Sequence, residues 1–312
     1  MLKWKKAEMD ALKHLSNKKN ICPLLELVMP NYKGNKDDLS DRLDQIAEKL
    51  KEDFKRKRVG EIPNEIVKNW GFSSVFLDFS LLDSIELKLH SIENIMNDSF
   101  SKGIRVIPVV NLVDDEKIKR LVSKIHIDHR QGICLRISSS DLKDIVLLNE
   151  KIETFLFDFN FGKDTIDLLV DIKEIDEDLT NYKYYYEAAQ KILDLNDWRS
   201  FIFASGAYPK DLTVCKVDEE NLLKRFDWIY WLQLGGKKRV VRNPTFADYS
   251  IRHPIYNKSL QFYQGSASIK YTLEDSWLIL RGKKGMNVHY QNQQKAFLEL
   301  ILFKLKILTQ NC

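Results

Sequence analysis

A chain of 312 residues that is 44% apolar can bury one large core or two smaller ones. Its 49 basic and 45 acidic residues leave a formal charge of +4, so nucleic acid is not demanded as a partner, and only a local basic patch would argue for it. Cys22, Cys134, Cys215 and Cys312 form no C-x-x-C pair, which argues against a zinc or disulfide framework and for a reducing cytoplasmic setting; no stretch nears the roughly 20 apolar residues of a membrane span, so no membrane partner is expected.

Along the chain one phrase recurs: a short apolar run, a polar or charged terminus, then a helical pattern. Leu2-Lys3-Trp4 reads as a short first strand, and Ala7 to Leu15 as a helix with apolar residues three and four apart. Ile21 to Leu25 is an apolar run ending in Glu26. A loop from Pro30 to Asp38 follows, and Ser40 suits the N-cap of a helix carrying Leu43, Ile46, Ala47 and Leu50. Val75 to Leu77 ends in Asp78, with a helix around Ile92 to Met96. Past the Lys102-Gly103 turn, Val106 to Val110 ends in Asn111. Asp114-Asp115-Glu116 then opens a helix with the charge its dipole favours. Ile133 to Leu135 ends in Arg136, and Ser140-Asp141 opens the next helix. Ile166 to Val170 ends in Asp171 and leads to a tyrosine-rich helix, Tyr182 to Leu195. Phe201 to Ala204 ends in Ser205, an apolar helix spans Leu222 to Leu234, and Thr245 to Ala247 ends in Asp248. From Gly265 the pattern changes to two strands, Ser268 to Thr272 and Trp277 to Gly282, and a final helix, Gln291 to Leu308.

Runs that are apolar throughout are strands covered on both faces, as in a parallel sheet. Eight such strand–helix units predict an α/β fold, a (β/α)8 TIM-like barrel. The expected organisation is a single domain over 1–312, with 265–312 as a C-terminal strand and helix extension packed on the barrel. Parallel strands all point one way, so their polar termini gather at one rim, where such barrels hold their sites.

The candidate chemistry follows from that placement. Glu26, Asp78, Asp171 and Asp248 are the candidate catalytic acids. The first three are also candidate ligands for Mg²⁺ or Mn²⁺, which take oxygen donors and would polarise a phosphoryl group. Taken singly, each carboxylate is more simply a helix cap or a partner of Arg136. His253, beside Pro254, is a candidate acid or base, although a loop histidine is more often a hydrogen-bonding partner. Basic residues at the rim are Lys3 or Lys5, Arg136, Arg252, Arg281 and Lys283, the arginine fork being matched to phosphate. Lys5, Asn111, Arg136, Ser205, Tyr249, Arg252, Tyr271, Arg281 and Lys283 make up the candidate binding set. The run from Lys49 to Arg58 could grip phosphates but reads equally as a solvated helix end. His126 and His129 read as exposed; Tyr182, Tyr184, Tyr185 and Tyr186 could stack on bases but at helical spacing read rather as packing or an interface. No Walker or dinucleotide fingerprint is present.

Several pieces, taken in order, resemble the beta protein family, named for a phage T4 protein. They are Lys3-Trp4-Lys5-Lys6-Ala7-Glu8 with Ala11-Leu12, then Pro23-Leu24-Leu25-Glu26. Phe246 to Pro254 and Ser266 to Thr272 follow, with Trp277-Leu278-Ile279 and Arg281-Gly282-Lys283. The resemblance spans nearly the whole chain. It implies a role in phage–host conflict, phage-encoded or defence-associated, and carries no catalytic assignment. Two functions stay open. One is a metal-dependent hydrolase of a phosphodiester or phosphorylated substrate. The other is a non-catalytic barrel that binds a protein or nucleic acid partner.

Overall fold

The computed structural model describes residues 1–30, 43–235, 240–256 and 266–284. The loop expected after Pro30, the Ser40 cap, the Gln291–Leu308 helix and Cys312 lie outside the described residues. In chain order the strands are β1 (Leu2–Lys3), β2 (Leu24–Glu26), β3 (Val75–Asp78), β4 (Val106–Asn111), β5 (Ile133–Ser138), β6 (Ile166–Glu174), β7 (Ser200–Gly206), β8 (Glu220–Lys224), β9 (Thr245–Ala247), β10 (Ser266–Thr272) and β11 (Ser276–Lys284). Between them run α1 (Lys6–His14), α2 (Leu43–Asp53), α3 (Ile62–Asn69), α4 (Ile85–Ser101), α5 (Glu116–His129), α6 (Ile145–Asp158), α7 (Leu179–Ala189) and α8 (Phe226–Leu234).

By its internal packing the chain divides into two compact units. The first comprises Met1–Ile172, Lys183–Ala204 and Gly236–Ala247, and the second Lys173–Tyr182, Ser205–Gly235 and Asp248–Cys312.

The first unit is built on an eight-stranded sheet of order β1-β2-β3-β4-β5-β6-β7-β9, whose described ladders are parallel. Leu24, Phe76, Ile107, Val109, Cys134, Leu169 and Ala204 form a single buried cluster on one face, and Met1, Ile202 and Ala247 pack against it. Contributions to one cluster from beside β1 at one edge and from β9 at the other require the sheet to curl. No ladder joins β9 to β1 among the described residues, so the sheet is a curled half-barrel and not the closed barrel expected. The two strands that flank the open seam are the short ones, β1 of two residues and β9 of three.

Helix boundaries follow local capping chemistry. The Ser84 hydroxyl accepts from the Leu87 amide at the start of α4, Asp115 from Lys117 at α5, and Asp144 from Leu147 at α6. The helix expected from Ser140 is therefore a short 3-10 turn, Asp141–Lys143, before the capped α6.

In the second unit β8, β10 and β11 form an antiparallel sheet of order β10-β11-β8. The Leu222–Leu234 segment is thus not one helix. Residues 220–224 alternate between exposed and half-buried, the period-two pattern of a strand, and α8 begins only at Phe226. Tyr208, Cys215, Trp277 and Ile279 make that unit's core.

Candidate functional site

Register explains how the strand-terminal charges meet. In the parallel ladders Lys3 lies opposite Glu26, and Glu26 opposite Asp78, so the three stand in one row across β1, β2 and β3. Arg136 and Ser138 share a face of β5, and Ser138 lies opposite Asp171 on β6. Each charge sits two residues beyond an apolar member of the buried cluster: Glu26 after Leu24, Asp78 after Phe76, Arg136 after Cys134, Asp171 after Leu169. Period two therefore places them on the same inner face, as a charged layer above an apolar one.

Glu26, Asp78 and Asp171 are each 1% exposed, Lys3 5% and Arg136 6%. The Lys3 ammonium donates to Glu26 Oε2. Arg136 Nη1 donates to Glu26 Oε1 at 3.2 Å and also to Asp78. Its Nε and Nη2 both donate to Asp171 Oδ2, at 2.9 and 2.5 Å, and Nη2 also reaches the Met1 sulfur at 3.8 Å. A guanidinium has five N–H donors, and these contacts engage all of them. Asp78 in addition accepts from the Ser80 amide at 2.7 Å.

Three of the four expected acids are thus brought together, around a guanidinium. Among the described residues no group of three or more His, Cys, Asp or Glu is disposed to hold a metal ion. Of the basic pair left open by the sequence, Lys3 enters the network. Lys5 is the N-cap residue of α1, without a side-chain cap. Asn111 closes its own turn: its amide and Nδ2 both donate to Asp114, at 2.7 and 3.2 Å.

At the other end of the same inner face lies a second ion pair that the sequence reading missed. Asp167 accepts from Arg199 Nε and Nη2 at 3.1 and 2.6 Å and from the Ser200 hydroxyl at 2.6 Å, and Arg199 Nη1 donates to the Gln131 carbonyl. The inner face therefore runs from this pair through the apolar cluster to the charged strand ends. Gly132 lies against the Arg199 guanidinium with φ of +79°; a Cβ there would fall 1.9 Å from Nη1 and 2.3 Å from the Thr165 carbonyl oxygen. Cys134, in the apolar layer, is fully buried, and burial holds its thiol well above its ordinary range.

The remaining expected residues belong to the second unit. Asp248 lies 3.5 Å from Arg225 Nη2 and accepts from the Ser250 amide at 3.0 Å. Tyr249 is buried under the Lys173 ammonium, 5.2 Å from the ring centroid. His253 Nε2 stands 3.1 Å from Glu174, while its Nδ1 accepts from the Ile255 amide. Ser205 is buried, Arg252 and Tyr271 are exposed, and Arg281 donates to the Cys215 carbonyl at 2.9 Å. The Lys283 side chain lies outside the described ones. The same unit buries Asp227, 1% exposed, with no described side chain hydrogen-bonded to its carboxyl oxygens. Burial pushes this acid up to about 7, helped by Asp248 and opposed by Arg225.

Two milder expectations also change. His126 and His129 are half-buried, His129 stacked on Phe100 at 4.1 Å and His126 tilted against Phe161; burial lowers both from their ordinary range. The basic run is internally paired: Lys55 to Glu52 and Glu86, Arg56 and Lys57 to Asp53, Arg58 to Glu61 and Glu65. Tyr182 and Tyr186 are buried, as packing residues should be, while Tyr184 is exposed.

No helix among the described residues is long and apolar enough to cross a membrane. No curated protein and no solved structure matches the chain. The family model described as "Beta protein" matches residues 1–301, which takes in the Lys3–Glu26–Asp78–Arg136–Asp171 network and both units, and the chain belongs to that family.

Proposed function

We propose that this protein is a non-catalytic binding member of the beta protein family, acting in phage–host conflict, and that its strand-end charges brace the sheet. One observation carries this reading: every donor of Arg136 is engaged by side chains of its own chain, three of them carboxylates with 1% exposure. A group so committed has no N–H left to clamp an anion. The acids in turn face a cation already in place. Removing one partner of such a buried set costs about 3–5 kcal/mol, because the others are left charged and unsatisfied.

The hydrolase reading keeps one observation in its favour, the convergence of Glu26, Asp78 and Asp171 at strand ends. In that reading Mg²⁺ or Mn²⁺ would bind where Arg136 now sits, and the arginine would have to swing away.

A divalent-metal titration of the full chain, read by thermal unfolding and by turnover of an activated phosphodiester, separates the two. A brace predicts no turnover, and a melting temperature that ignores Mn²⁺ but falls in Asp78→Asn and Asp171→Asn. Turnover that depends on Mn²⁺ and vanishes in either variant would overturn it.

A further inference from the structure

In the first unit α1 and α3 pack together and leave a pocket of about 380 Å³ between them. Lys6, Met9, Asp10 and Lys13 are spaced i, i+3, i+4 and i+7 along α1, which puts them on one helical face. Lys68 enters from α3, Lys5 from the N-cap of α1, and Trp4 closes the inner wall. Lys6, Lys13 and Lys68 are exposed and have no ion pair or hydrogen bond among the described residues. The Glu65 carboxylate on the wall is already held by Arg58, at 2.8 and 3.1 Å, and by the Trp4 indole N–H at 3.1 Å. Asp10 is therefore the one acid of this wall left to oppose three unengaged ammonium groups. Such a wall is an electropositive cavity of ligand size.

We propose that this pocket binds the phosphate group of a small phosphate ester, such as a nucleotide. Three lysines can meet a multiply charged phosphate from different sides as point charges. A polynucleotide backbone fits less well, because tracking one needs a continuous basic stripe. Here the neighbouring run from Lys55 to Arg58 is paired with its own acids, so it does not extend the pocket into such a stripe. The proposal deepens the binding reading by giving it a ligand class, and it uses none of the strand-end charges.

The test is calorimetric titration of the full chain, without divalent metal, using pyrophosphate, a nucleoside triphosphate and a single-stranded oligonucleotide. Saturable binding of the first two with Kd below about 1 mM is expected. Lys13→Glu and Lys68→Glu should each weaken it at least ~10-fold, or about 1.4 kcal/mol. Lys117→Glu, a charge reversal on exposed α5 surface, should leave it unchanged. Absence of saturable binding, equal loss in Lys117→Glu, or tighter binding of the oligonucleotide with a steep salt dependence would each overturn the proposal. These outcomes are independent of the metal titration. Turnover at the strand ends would sink the brace without emptying this pocket, and an empty pocket would leave the brace intact.

Discussion

The protein buries charge in two ways. In the first unit five ionised side chains lie at the strand ends, none more than 6% exposed, and each is paired with an opposite charge. In the second unit Asp227 is equally buried, yet no described side chain donates a hydrogen bond to its carboxyl oxygens. In the first set each charge has an opposite charge against it, which offsets the cost of desolvation. The second answers desolvation by holding its proton up to about 7. Similar exposure thus gives a rigid brace in one place and a group that titrates near neutrality in the other.

The largest effect expected is from Arg136→Met, which removes the centre of the brace and leaves three buried acids with Lys3 alone. A loss of about 4 kcal/mol at pH 8 should appear in denaturant unfolding. Retention of wild-type stability would mean that the acids were not held by this cation.

Asp227→Asn should act in the opposite sense. An acid raised in the folded state binds its proton more tightly there than in the unfolded chain. Its stabilising contribution is therefore full below about pH 4 and is lost as pH rises through about 7. Near pH 8 the variant should be the more stable, by up to about 4 kcal/mol and by less if the site admits water. The measurement is unfolding free energy against pH, and an unaltered slope between pH 4 and 7 would assign the titration elsewhere.

Ser84→Ala removes the α4 cap and touches neither charged region. A loss of about 1 kcal/mol is expected, with no change in pH dependence. Smallest of all is Arg120→Ala, which breaks an exposed 3.4 Å pair with Glu116. It should leave the melting temperature within experimental error.

How much of this was legible beforehand differed between the two regions. Glu26, Asp78, Arg136 and Asp171 stand out because each ends an apolar run, and parallel strands carry such ends to one side. Lys3 could not be told from Lys5 because a two-residue strand shows no alternation from which to read a face. That Arg136 sits among the acids depends on register and not on composition. Asp227 gave no signal at all. It lies inside the stretch read as one apolar helix from Leu222 to Leu234, and only tertiary packing makes its carboxyl dry. The boundary between β8 and α8 was hidden for a related reason, since the apolar content of residues 222–234 runs on through Arg225.

The small antiparallel sheet has a consequence for biosynthesis. Among the described residues Glu220–Lys224 pairs with β11 alone, and that partner is translated about fifty residues later. At roughly 5–20 residues per second the nascent strand waits several seconds with its edge unsatisfied, available to chaperones and to neighbouring ribosomes' products alike.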